Sequence, residues 1–201
     1  MFKSIEDKIR GLAQLAPSPE RLIPLNQLVE YLQTKIHKGE KAQLNFICTH
    51  NSRRSQMAQV WTKLLADFYG VELETFSGGT EVTAFHPNAL AVFEKMGLEI
   101  QKEGSNNPHY FLRYSETESP IEAFSKLYDD ASNPSTNFAA IMTCSSADAN
   151  CPFIPSAERR VSLTYEDPKK FDDSEIAQEA YEACALRIAQ EMNYVFKSLK
   201  K

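Results

Sequence analysis

The sequence predicts an α/β protein in which helices cover both faces of a parallel sheet, with an added helical pair at the N-terminus. Two observations lead there. Strand-length apolar runs alternate along the chain with longer stretches whose apolar residues recur every three or four positions, the order that builds parallel sheets with helical crossovers. One of those runs, FAAIMTC at 138–144, is almost continuously apolar, as a strand buried on both faces must be.

The elements follow in order. Ile5, Ile9 and Leu12 space a helix over 3–15, and Leu22, Leu25, Leu28, Val29, Leu32 and Ile36 space a second over about 20–38, with APSPE between them. AQLNFIC is a short strand. SQMAQVWTKLLADFYG reads as a helix closed by Gly70, VELETFSGG as a second strand and turn, and PNALAVFEKMG as a helix with proline at its start and glycine at its end. LEI opens a further strand. Within 101–137, HYFLRYS reads as a strand, PIEAFSKLYDD as a short helix and ASNPSTN as a loop. FAAIMTC is the next strand, SSADANCPFIP a polar loop, RRVSLTY a short strand and EDPKKFDD a loop, and a long helix runs from about Ser174 to Leu199. Ligands of parallel sheets bind at the carboxyl ends of the strands, so the loops after Cys48, Ser77, Cys144 and Tyr165 are expected to share one rim.

With 201 residues, 42% of them hydrophobic and 24% charged, the chain can bury one substantial core and carry an appended element. A formal net charge of -5 offers no overall attraction to nucleic acid or to an acidic membrane face, so a small anion is the better candidate ligand. No stretch has the length and apolarity of a membrane span, and the opening residues lack the apolar core of a signal peptide. A cytoplasmic protein is therefore expected. Four cysteines, Cys48, Cys144, Cys151 and Cys184, are too few for a disulfide scaffold and should rest as thiols, any disulfide among them being transient. No second Cys or His pair lies at zinc spacing, and neither a metal nor a cofactor is expected. Cys184, on a core-facing helical position, reads as packing.

The stretch CTHNSRRS at 48–55 carries the chemistry. Cys48 stands where a strand ends, Arg54 follows after five residues and Ser55 opens a helix, so the loop Thr49, His50, Asn51, Ser52 and Arg53 can wrap around a small centre. Backbone N–H groups and the helix N-terminus would point at a tetrahedral oxyanion there, and the planar fork of Arg54 would clamp two of its oxygens. The same field favours a thiolate at Cys48, a nucleophile aimed at the atom the loop holds. A buried packing cysteine beside a surface arginine is the plainer alternative.

CTHNSRRSQMA resembles the phosphate-binding loop of the low-molecular-weight protein tyrosine phosphatase superfamily, which includes the thioredoxin-coupled arsenate reductases. The resemblance implies a four-stranded parallel sheet flanked by helices. It also implies that Cys48 attacks phosphorus or arsenic, that Arg54 binds the oxyanion, that Ser55 hydrogen-bonds the thiolate and that Asn51 holds a strained turn. His50 stands where such loops usually carry glycine; it either constrains the loop, leans into the mouth or faces outward. Arg53 is expected as a surface charge. Ser77 resembles the serine that supports the loop asparagine from the neighbouring strand.

MTCSSADANCPFIP resembles the redox segment of the arsenate reductases, including the proline after its second cysteine. The resemblance implies a relay: Cys144 attacks the sulfur of the Cys48–arsenic adduct, Cys151 then displaces Cys48, and thioredoxin reduces the Cys144–Cys151 pair. In TYEDPKKFDD it makes Asp167 the general acid, with Glu166 as a second candidate. Outside the resemblance lie a helical extension, 1–40, and an enlarged segment, 101–137, of the 41–201 catalytic domain. Both look like additions to a core of typical family size, and an oligomer is left open.

The expected function is thus an arsenate reductase acting on arsenate, with thioredoxin as reductant. The alternatives are a phosphatase for phosphotyrosine or small phosphate esters whose Cys pair guards the nucleophile, and an oxyanion-binding module without chemistry.

Overall fold

A computed structural model describes residues 1–13, 16–150 and 153–200. The elements are α1 (Lys3–Arg10), α2 (Pro19–Lys38), β1 (Ala42–Cys48), α3 (Arg54–Tyr69), β2 (Leu73–Gly79), α4 (Pro87–Met96), β3 (Glu99–Glu103), β4 (His109–Arg113), β5 (Ile121–Ala123), β6 (Phe138–Met142), α5 (Ser145–Asn150), β7 (Ala157–Ser162), a 3-10 turn at Pro168–Phe171 and α6 (Ala177–Ser198).

Four strands form a parallel sheet in the order β2-β1-β6-β7, so their carboxyl ends lie along one edge. Successive side chains of a strand face opposite ways. Leu44, Phe46, Ala139 and Ile141 enter the large core beneath α2, α3, α4 and α6, while Ile47, Cys48, Phe138, Ala140 and Met142 form a smaller cluster with Cys144, Ala147 and Ile154. Coverage is therefore unequal, and the thinner layer is the one that holds Cys48 and Cys144.

The N-terminal helices pack on the large core. Ile5 and Ile9 of α1 and Leu25, Leu28 and Leu32 of α2 are buried in it. α1 ends at Gly11 instead of running to 15. Arg21 of α2 donates from Nε and Nη2 to the fully buried Glu191 of α6, at 2.9 and 2.6 Å, and Arg187 adds a second cation at 2.9 Å. A buried carboxylate requires such compensation.

Two expectations are corrected. PIEAFSKLYDD is not a helix: Ile121, Ala123 and Ser125 are buried at alternate positions, and β5 closes a three-stranded antiparallel sheet β3-β4-β5. The carbonyls of Glu122 and Phe124 accept from Gln59 and Gln56 of α3, at 3.0 and 2.9 Å, and partners across space hold this backbone extended. SSADAN is not a loop but α5, whose first turn is tied back to Cys144: Asp148 N–H donates to its carbonyl at 3.0 Å and Ala147 N–H to its sulfur at 3.3 Å.

Candidate active site

The loop after β1 is shaped by where its carbonyls go. Cys48 O accepts from Thr80 N–H at 3.2 Å, Thr49 O from Glu81 N–H at 2.8 Å and Ser52 O from His86 N–H at 2.9 Å. His50 O accepts from the hydroxyls of Thr83 and Ser125, at 2.9 and 3.0 Å. A trans peptide sets its N–H opposite its carbonyl, so the units whose carbonyls are anchored outward turn their N–H groups toward the loop centre. Asn51 N–H is one of these and donates to Cys48 Sγ at 3.1 Å.

Asn51 makes the turn with φ 45°, in the left-handed region that asparagine tolerates better than most residues. Its side chain holds it there. Nδ2 donates to Ser55 Oγ at 2.9 Å, and Oδ1 accepts from the N–H of Lys126 at 2.9 Å and from Gln56 Nε2 at 3.3 Å. Because Ser55 Oγ receives the asparagine proton, its own hydrogen is free to point at Cys48 Sγ, 3.0 Å away. Two donors thus converge on one buried sulfur. Asn51, Ser55, Gln56 and Ser77 are all fully buried, where an unmade hydrogen bond costs most.

Ser77 does not reach Asn51 itself. It donates to Gln56 Oε1 at 3.3 Å, and Gln56 in turn holds Asn51 and the carbonyl of Phe124. Gln56 is the hub that sequence reading missed; its only signal was a polar residue two places into a buried helix. Gly79 was also missed. It pairs with Cys48 in the β1–β2 register, and a Cβ there would lie 2.6 Å from Thr49 O and 2.8 Å from Asn51 N.

Arg53 corrects its expectation. It is mostly buried, donating from Nε to Tyr181 OH at 2.5 Å and from Nη2 to Asp172 at 2.7 Å, while Tyr181 OH donates to the other Asp172 oxygen at 2.6 Å. This closed triangle latches the loop to α6 and to the turn after Asp167. Burial opposes the charge on Asp172, but the hydrogen bonds from Tyr181 and Arg53 prevail and hold its carboxyl below the usual range. His86 stacks on Tyr181 at 5.2 Å, and burial, then the Arg53 guanidinium, push its imidazole down against the pull of Asp172 and Asp167. His50, by contrast, faces outward, its Nε2 3.3 Å from Glu81.

Arg54 spans the mouth. Nη1 donates to Tyr165 O at 2.9 Å and Nη2 to Asp167, whose other oxygen accepts from Lys169 N–H at 3.0 Å. Asp167 thus caps the 3-10 turn that Pro168 opens, and its carboxylate is fixed over Arg54. Glu166 is exposed and pairs with Lys170 at 2.8 Å.

Cys144 is buried, its sulfur 3.4 Å from Thr49 Oγ1. With Arg54, Ser145, Ser146, Tyr165 and Asp167 it lines a cleft of about 500 Å³. Cys151 lies outside the described residues. Cys184 is not simply core: it faces the back of the Asp167 loop, donating weakly to Glu166 O at 3.7 Å, and burial pushes its thiol up to about 12. Among the described residues no cluster of His, Cys, Asp and Glu could hold a metal ion, and no helix is long and apolar enough to cross a membrane.

No protein-family model matches the chain. Arsenate reductase 2 of Staphylococcus epidermidis is 30% identical over 129 residues, 64% of this chain and 80% of that protein. Among solved structures, a mutant of YwlE from Bacillus subtilis superposes with a TM-score of 0.54 at 16% identity, covering 80% of this chain and 100% of that one. An arsenate reductase from Archaeoglobus fulgidus superposes with a TM-score of 0.51 at 16% identity, covering 77% and 99%. At such identities the structural likeness speaks for the fold alone.

Proposed function

We propose that this chain, which belongs to the low-molecular-weight protein tyrosine phosphatase superfamily that includes the arsenate reductases, reduces arsenate through a thiol relay. That it is an enzyme of this family follows from its relatives; the relay is our reading. The observation that carries it is the second buried thiol, Cys144, at the carboxyl end of the strand beside Cys48, in the same small apolar cluster and next to Thr49 of the loop.

Arsenate enters the loop as an oxyanion, held by inward N–H groups and the Arg54 fork. The guanidinium exchanges Asp167 for the substrate; the carboxylate so released takes up a proton from water at the open mouth and passes it to the arsenate oxygen that leaves as water when Cys48 Sγ bonds to arsenic. Cys144 then attacks the sulfur of Cys48. The sulfur–arsenic bond breaks, its electron pair reduces arsenic from the pentavalent to the trivalent state, and arsenite departs, leaving a Cys48–Cys144 disulfide. Cys151 attacks Cys144, freeing the Cys48 thiolate, and an external dithiol, for which thioredoxin is the candidate, reduces the resulting Cys144–Cys151 pair.

A phosphate ester would meet the same Cys48, Arg54 and Asp167, with water in place of Cys144 in the second step. The test is NADPH oxidation in a thioredoxin-coupled assay with arsenate, run on the wild type and Cys144→Ser beside aryl phosphate hydrolysis. Arsenate-dependent turnover that Cys144→Ser abolishes while sparing hydrolysis is the expected result. Hydrolysis with no arsenate turnover in the wild type would replace the reductase with a phosphatase.

A further inference from the structure

Beside the loop that follows β1, an open cleft of about 440 Å³, within the range of small-molecule sites, is lined by β2, α3 and the segment around β5. Its charges are not equivalent. Lys41 pairs with Glu74 at 2.8 Å, Lys63 with Asp67 at 2.6 Å and Glu122 with His109 at 2.7 Å, while Glu118 stands exposed at the mouth. Lys126 is different: it is 5% exposed, and its ammonium has no hydrogen bond and no ion pair among the described residues. It stands over the ring of Phe124, 4.1 Å from Nζ, and that ring in turn stacks on His109.

Little of this side chain reaches solvent, and an ammonium so nearly buried is costly to hold without a hydrogen-bonded counter-ion. We propose that this cleft is a binding site for a small aromatic monocarboxylate, whose carboxylate pairs with Lys126 while its ring packs on the half-buried Phe76. A dianion would set its second charge against Glu118 and Glu122, which line the same cleft, whereas a monocarboxylate needs only Lys126. Burial pushes the Lys126 ammonium down to about 8, and the through-space pull of Asp130 and Glu122 does not offset it. The site adjoins the nucleophile loop: the N–H of Lys126 donates to Asn51 Oδ1, and its carbonyl accepts from Gly79 N–H at 2.8 Å.

The test is titration of the 15N-labelled protein with benzoate, and separately with benzamide, its neutral counterpart, following the amides of Lys63, Phe124 and Lys126. Benzoate should shift these resonances saturably and bind at least tenfold more tightly than benzamide. Lys126→Met keeps the aliphatic stem and removes only the charge, and should abolish that preference. Equal binding of the two probes to the wild type, benzoate shifts unchanged by Lys126→Met, or no shift at 10 mM benzoate, about ten times the weakest millimolar affinity of interest, would overturn the proposal.

Discussion

Replacing Lys126 by methionine is expected to stabilise the protein at neutral pH and to lose that advantage in alkali. Burial holds the Lys126 ammonium at about 8, below its ordinary 10.5. Between those values the folded protein has released a proton that the unfolded chain still carries, so wild-type stability rises with pH across the window. Below about pH 8 both states are charged, and the folded state bears the whole cost of the buried ammonium. At 1.36 kcal/mol per pH unit that cost is roughly 3 kcal/mol for the displacement seen at Lys126. The cation–π contact with Phe124, worth about 0.5–2 kcal/mol, is forfeited in the variant and leaves a net gain of about 1–2 kcal/mol. For a domain of this size that raises Tm by about 2–8 °C at pH 7. Thermal melts of both proteins, followed by far-UV circular dichroism at pH 7 and pH 10, measure it, and titrations common to the two cancel in the difference. A variant less stable at pH 7, or one whose advantage is the same at both pH values, would show that the ammonium is paired or hydrated after all.

The other predictions concern the loop after β1. Tyr181→Phe removes one oxygen from the Arg53–Asp172 latch without opening a cavity; two hydrogen bonds to charged groups at about 1.5–3 kcal/mol each, part of it returned by water at the half-open edge, leave a loss of about 2 kcal/mol. Urea unfolding reads this, and an unchanged midpoint would mean that the triangle holds nothing. Gly79→Ala presses a methyl group on Thr49 O and Asn51 N, and should cut aryl phosphate hydrolysis by about tenfold or more, as a displacement of about 1 Å at a reacting group does, while most of the fold survives. Wild-type rates would show that the loop can move aside. Asp167→Asn should slow ester hydrolysis about 10²-fold or more, the scale of a general acid, and arsenate reduction less, because an ester has the poorer leaving group. Equal losses in both assays would assign Asp167 to holding Arg54.

The strand and the helix of 42–69 were legible because each depends on near neighbours, an apolar run and a repeat every three or four residues, while the turn at Asn51 was expected from the resemblance of its loop. Cys48, Asn51 and Ser55 lie within eight positions of one another, and the contacts among them are local. The latch was not legible. Arg53 meets Tyr181 across 128 positions and Asp172 across 119, and nothing near Arg53 in the chain distinguishes it from a surface charge. The same holds for the N–H of Lys126, which reaches Asn51 across 75 positions and belongs to a segment whose local pattern suggested a helix. There the carbonyls of Glu122 and Phe124 are claimed by two glutamines of α3, and tertiary hydrogen bonds override local preference. The sequence by itself determined most of the elements, written in periodicity, and the candidate oxyanion loop at 48–55, written in short spacing. Only the tertiary structure decided what grips that loop from outside and, among the described residues, which nearly buried ammonium has no hydrogen-bonded counter-ion, because both depend on groups that meet only when the chain is folded.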